Sequence, residues 1–188
     1  MNDFFYVSNS KLSVEINETQ IFVRQFQMKE INQFVSMANP IRQELSSGID
    51  HVIKQYLIYS LSLVSMLSDL NIELATKLLD SDYDKFKELL EKVIEVNSAF
   101  FNEKVKESEK ESNDTWFDIL QHLVKAGHRP DDVMNMTYGA FIGFCKAINK
   151  QCINDVINTA NITRTAHHAD NNSFKKFTSE MKSKTNSR

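Results

Sequence analysis

Few side chains in this chain have the type and spacing for chemistry. Of its five histidines, His122 and His128 flank the helix-ending Gly127, and His167 and His168 are adjacent. Neither pair has the i, i+4 spacing that sets two imidazoles on one helical face, so no zinc site is expected. Cys145 and Cys152 stand seven apart in a helical pattern, about 10.5 Å along the axis, too far for a disulfide within one helix. Two free, buried thiols are expected, as fits a reducing compartment. Cys145 falls on the most apolar face of its helix and reads as core packing rather than as a nucleophile paired with a histidine. Asp131 and Asp132, three and four residues after His128, offer paired carboxylates, but directly before a short helix they read as cap and dipole partners. The chain has no glycine-rich phosphate loop, nucleophile elbow or dinucleotide fingerprint. The expectation is a protein that is not an enzyme, with no catalytic, cofactor-binding or metal-ligating residue and no cofactor.

Composition points the same way. With 188 residues, 41% of them hydrophobic, the chain can build one sizeable core or two small ones. Four glycines and two prolines are few against usual frequencies of roughly 7% and 5%, which argues for long helices and few turns. The net charge of -3 hides an asymmetry: residues 166–188 hold five Lys/Arg against two Asp/Glu. This basic tail is too short and too poor in aromatic residues for a nucleic-acid groove and reads as a flexible, solubilising end. The N-terminal residues lack the basic and apolar regions of a signal peptide. The longest uncharged run, Gln55 to Ser68, has 14 residues with four serines, too short and polar to span a bilayer.

The elements that would position any site are mainly α. Leu12–Ile16 and Ile21–Phe26 alternate apolar and polar residues and predict a β-hairpin packed on helices. Helical periodicity starts at Met28 and is expected to break at Pro40; a second piece, Ile41–Leu45, stops at Gly48. A helix from Asp50 to Asp69, apolar on most faces, is expected at the centre of a bundle. A short helix over Asn71–Leu79 precedes a long one, capped by Ser81 or Asp82, that ends at Phe100-Phe101. Residues 103–114 then carry eight charged side chains and one apolar one, a solvated linker. Beyond it, Trp116 to Val124 predicts a helix ended by Gly127, residues 133–136 a short turn, and Thr137 the cap of a long final helix. The boundaries follow: residues 1–102 as hairpin plus helical bundle, 103–114 as linker, 115–168 as a smaller helical module, 169–188 as a tail able to form an amphipathic turn or two on binding.

Three stretches in this order resemble the tail assembly chaperones of long-tailed bacteriophages. Ile16 to Met37, with Arg24 on the second strand running into a helix, is similar to the family's opening hairpin. Leu89 to Phe101, with Glu95-Val96-Asn97 before Phe100-Phe101, is similar to the close of its first domain. Trp116 to Leu120, Gly127 to Val133 and Tyr138 to Phe144 look like its second domain, with Gly139-Ala140 where many relatives carry a glutamine. The resemblance implies a helical chaperone in the cytoplasm of an infected bacterium. Its first domain would bind the tape measure protein and keep it soluble, and its extension would recruit tail tube protein.

A long helical client needs adaptable apolar surface, of the kind that methionine and aromatic residues supply; Met28, Met37, Met66, Met134 and Met136 are available. The client surface is expected near Phe34, Met37, Phe100 and Phe101. The recruiting surface is expected around Trp116, His128, Tyr138 and a stripe through Ile148 and Val156. That stripe narrows after Cys145, and a narrow stripe that outlasts the local core usually wants a partner, so a homo-oligomer is a further expectation. The alternative reading is a structural or regulatory protein that dimerises through the final helix; neither nucleic acid nor membrane is an expected partner.

Overall fold

The computed structural model describes residues 3–16, 18–102, 116–168 and 170–185. The expected charged linker lies outside them. The described chain is mainly helical, with one two-stranded antiparallel hairpin near its N-terminus. It divides into two compact units, residues 1–145 and 146–188.

The first unit opens with a short helix, α1 (Asp3–Val7), in a stretch where no element was expected. Strands β1 (Leu12–Ile16) and β2 (Thr19–Val23) pair in the register Val14 to Ile21. Their alternation buries Val14, Ile16, Ile21 and Val23 on one face, and that face packs on α6 (Tyr83–Val96). The tight turn needs no glycine because Glu18 takes a positive φ of 63°.

A 3-10 turn over Met28–Glu30 leads into α2 (Ile31–Glu44). Pro40 lies inside this helix and does not end it. Proline removes one intrahelical hydrogen bond, at a cost of about 3 kcal/mol, but Ala38 and Ile41 on either side are fully buried, so core packing carries the helix through. After a 3-10 turn, Leu45–Ser47, Gly48 adopts φ 93° and ψ 154°, a conformation open to glycine alone, and starts α3 (Ile49–Gln55).

The single helix expected over residues 50–69 is two, since Tyr56 leaves helical geometry (φ -124°, ψ 41°) before α4 (Leu57–Leu67). The break lets Val52 and Ile53 face the core together with Leu63, Val64 and Leu67, while Ile58 is left 77% exposed. The helix is therefore not buried on all sides. Asn71 accepts the amide hydrogen of Leu74 to cap α5 (Ile72–Ser81), and Asp82 accepts that of Lys85 to cap α6. The run to Phe101 also breaks: Asn97 separates α6 from α7 (Ser98–Phe101).

Helices α8 (Trp116–Lys125) and α9 (Pro130–Asn135) follow, joined through Gly127 at φ 101°. Pro130 occupies the first helical turn with Asp131 and Asp132, where their charges meet the positive end of the helix dipole. Residues 136–138 then pair with 26–28: Met28 N–H donates to Met136 O at 2.9 Å and Tyr138 N–H to Phe26 O at 3.3 Å. Helix α10 (Tyr138–His168) starts there, with Thr137 Oγ1 accepting the amide hydrogen of Ala140 as its cap. The compact unit therefore runs through Cys145, and its limit does not coincide with the boundary expected at 103–114. Strand-like pairing and an aromatic stack, in which Tyr138 lies 5.3 Å from Phe26, join residues on both sides of that linker.

The second unit holds the remainder of α10 and α11 (Asn171–Thr185). The tail expected to be flexible is helical over α11, because Asp170 accepts amide hydrogens from Asn172 and Ser173 and caps it. Ile153, Val156, Ile157 and Ile162 on α10 are 44–68% exposed. Cys152 is exposed and Cys145 half-buried, against the expectation of two buried thiols; burial pushes the Cys145 thiol up from its ordinary pKa. Among the described residues, no helix is long and apolar enough to cross a membrane.

Candidate functional site

The first unit carries an open apolar cleft of about 360 Å³. Met28, Ile31 and Asn32 line one side, Phe117 and Leu120 come from α8, and Val133, Met134 and Phe141 complete it. Phe117 is 64% exposed and Met134 42%, so two large apolar side chains already stand in water at its edge. A cleft of this size falls in the range of pockets that take a ligand or a few protruding side chains.

Local structure explains why the cleft holds its shape. Arg24 donates two hydrogen bonds to the Glu30 carboxylate, at 2.7 and 2.8 Å, and a third to Met66 O at 3.0 Å. Glu30 also accepts the amide hydrogen of Gln27 at 2.9 Å. These bonds clamp the 3-10 turn that presents Met28. Burial raises the Glu30 pKa, but the bonds from Arg24 and Gln27 outweigh it and hold the carboxyl below its ordinary value. On the other wall, Lys29 Nζ donates to Asn135 Oδ1 at 2.9 Å and ties the turn to the end of α9.

Behind the cleft, α1 acts as a strap. Tyr6 Oη meets Ser98 Oγ at 3.0 Å, Tyr6 O accepts the Thr137 hydroxyl at 2.7 Å, and Phe5 O accepts from Gln25 Nε2 at 2.9 Å. The Tyr6 ring lies so close to Gly139 that a Cβ there would overlap it. Gly139 is thus where α10 and α1 approach.

Four of the nine residues expected to form partner surfaces are buried. Phe34, Phe100, Phe101 and Tyr138 are 7% exposed or less and build the aromatic core: Phe34 stacks on Phe26 at 3.7 Å and meets Phe100 edge-on at 5.0 Å. Arg42 covers the Phe100 ring at 4.8 Å. Rings this large hold a core by the area they bury. Met37 is half-buried, and so is His128, whose ring sits 4.8 Å from Phe144. Trp116 begins α8, but its side chain lies outside the described part of the structure. Ile148 is half-buried and Val156 is 68% exposed, so the stripe past Ile148 is the expected surface that stands free.

Of the expected partner residues whose side chains are described, none lines the cleft. Met28 and Met134 were legible as adaptable apolar residues, whereas Phe117, Val133 and Phe141 carried only a core-like helical periodicity. Among the described residues, no group of three or more His, Cys, Asp or Glu side chains is placed to hold a metal ion. No protein-family model matches the chain, and no curated protein or solved structure matches it.

Proposed function

We propose that this chain is a non-catalytic tail assembly chaperone of the long-tailed bacteriophage type, acting in the cytoplasm of the infected host. The resemblance of its three sequence stretches supports the family, and the cleft beside Met28, Phe117 and Met134 is the observation that carries the binding role. A tape measure protein offers long helices with apolar stripes, and a helix laid in a groove is read by side chains at i, i+3 and i+4. Methionine adapts to many such stripes because its side chain is flexible and polarizable. The stripe of α10 past Ile148 is the surface for recruiting tail tube protein.

Co-expression with the tape measure protein of the same phage tests this reading. The expected result is a soluble complex that is lost when Phe117→Ser and Met134→Lys open the cleft to water. A client that stays insoluble beside the unaltered chaperone would count against it. The exposed Ile153, Val156 and Ile157 favour a second reading, a structural or regulatory protein that dimerises through α10. A discrete dimer with no affinity for either tail protein would support that reading instead.

A further inference from the structure

We infer that residues 26–28, with the rings beside them, form a docking site for an extended segment of a partner chain, and that the chain's own residues 136–138 fill this site until such a partner displaces them. The seated segment shows what the site reads. Met28 N–H donates to Met136 O at 2.9 Å and Tyr138 N–H donates to Phe26 O at 3.3 Å, the donor and acceptor pattern that a sheet edge offers to an added strand. Met136 is extended, with φ -65° and ψ 149°. Next to it, the Thr137 hydroxyl donates to Tyr6 O at 2.7 Å. The Tyr138 ring stacks on Phe26 at 5.3 Å and meets Phe100 edge-on at 5.8 Å. The site therefore suits an extended stretch in which a small hydroxyl residue precedes an aromatic one.

Three features mark the segment as a ligand of this site rather than a founding part of the core. Its pairing is a single isolated bridge, Gln27 to Thr137, and not a ladder. The residues that receive it are held without it: Phe26 N–H donates to Asn97 Oδ1 at 2.9 Å, Phe34 stacks on Phe26 at 3.7 Å, and Phe34 meets Phe100 at 5.0 Å. The segment also reaches the site from beyond residues 103–115, so the chain supplies it as an intramolecular ligand that a partner's segment must outcompete. A contact of this kind opens locally, without global unfolding. The site adjoins the cleft through Met28, but docking of an extended segment there does not require the assignment to the tape measure protein, and its test uses no tail protein.

Hydrogen exchange of the unaltered chain measures the release. The Met28 and Tyr138 amides are expected to exchange through one common opening, with protection about tenfold or more below that of the Phe26 amide; equal protection of all three overturns the inference. Disulfide trapping measures the seating, on a chain carrying Gln27→Cys, Cys145→Ser and Cys152→Ser in a thiol redox buffer. The probe is a synthetic peptide of residues 133–141 with Thr137→Cys, since antiparallel bridge partners stand about 4.5–5.5 Å apart at Cα, within reach of a disulfide. The mixed disulfide is expected to form, with a yield that falls about tenfold when the peptide also carries Tyr138→Ala. A peptide that is not trapped, or is trapped equally well with the alanine, overturns the inference. So does a Gln27→Cys chain that pairs with a Thr137→Cys chain faster than with the peptide, which marks a second copy as the occupant.

Discussion

The side-chain oxygen of Asn97 accepts the amide hydrogen of Phe26 at 2.9 Å, joining the end of α6 to the chain leaving the hairpin across 71 positions. Its amide nitrogen donates to Val93 O at 2.9 Å and Arg24 O at 3.4 Å, and the residue is 4% exposed. One buried amide thus closes α6, opens α7 and holds the residue on which Phe34 and Tyr138 stack.

Asn97→Ala should therefore cost far more than its size suggests, because it leaves the Phe26 N–H buried without an acceptor. Urea denaturation is expected to show a loss of about 2–3 kcal/mol. Asn97→Asp keeps the acceptor but removes the donor and buries a charge, so it should cost at least as much. Asn149→Ala, on the exposed part of α10, serves as the control and should change stability by less than about 0.5 kcal/mol.

Gly139→Ala reverses the usual helix preference. In an open helix alanine gains about 1 kcal/mol over glycine, yet here the new Cβ meets the Tyr6 ring, and overpacking of this kind costs about 1–3 kcal/mol. The single variant is expected to be less stable than the parent. In a Tyr6→Ala background the same change should become neutral or stabilising, and a double-mutant cycle reads the coupling directly.

The Arg24 clamp predicts a pH dependence. The folded-state pKa of Glu30 is depressed, so its contribution is fully present above the ordinary glutamate value, about 4.3, and is lost as pH falls through the folded value. Arg24→Ala should lower stability by about 1–3 kcal/mol at neutral pH. The difference between variant and parent should shrink as pH falls from the ordinary glutamate value through the depressed folded value, below which the carboxyl is protonated with or without its partner. A difference that stays constant down to acid pH would assign the loss to the Arg24 bonds with Met66 O and Gln25 O rather than to the ion pair.

Periodicity and capping alone determined much of this protein. The alternation of Val14, Ile16, Ile21 and Val23, the Thr137 cap, a cap at Ser81 or Asp82, and the stops Gly48 and Gly127 each follow from interactions within a few residues, which a chain carries wherever it folds. The breaks at Tyr56 and Asn97 and the survival of α2 through Pro40 were not legible, because distant packing decides them: the core holds Ile41, and Asn97 trades helical geometry for the Phe26 bond. The same holds for the site. The apolar character of Met28, Met134 and the stripe through Val156 was evident, but periodicity cannot tell an apolar side chain that closes a core from one that edges a cleft. Only the tertiary structure, by pairing residues 26–28 with 136–138, sent Phe34, Phe100 and Tyr138 inward and left Phe117 and Met134 facing water.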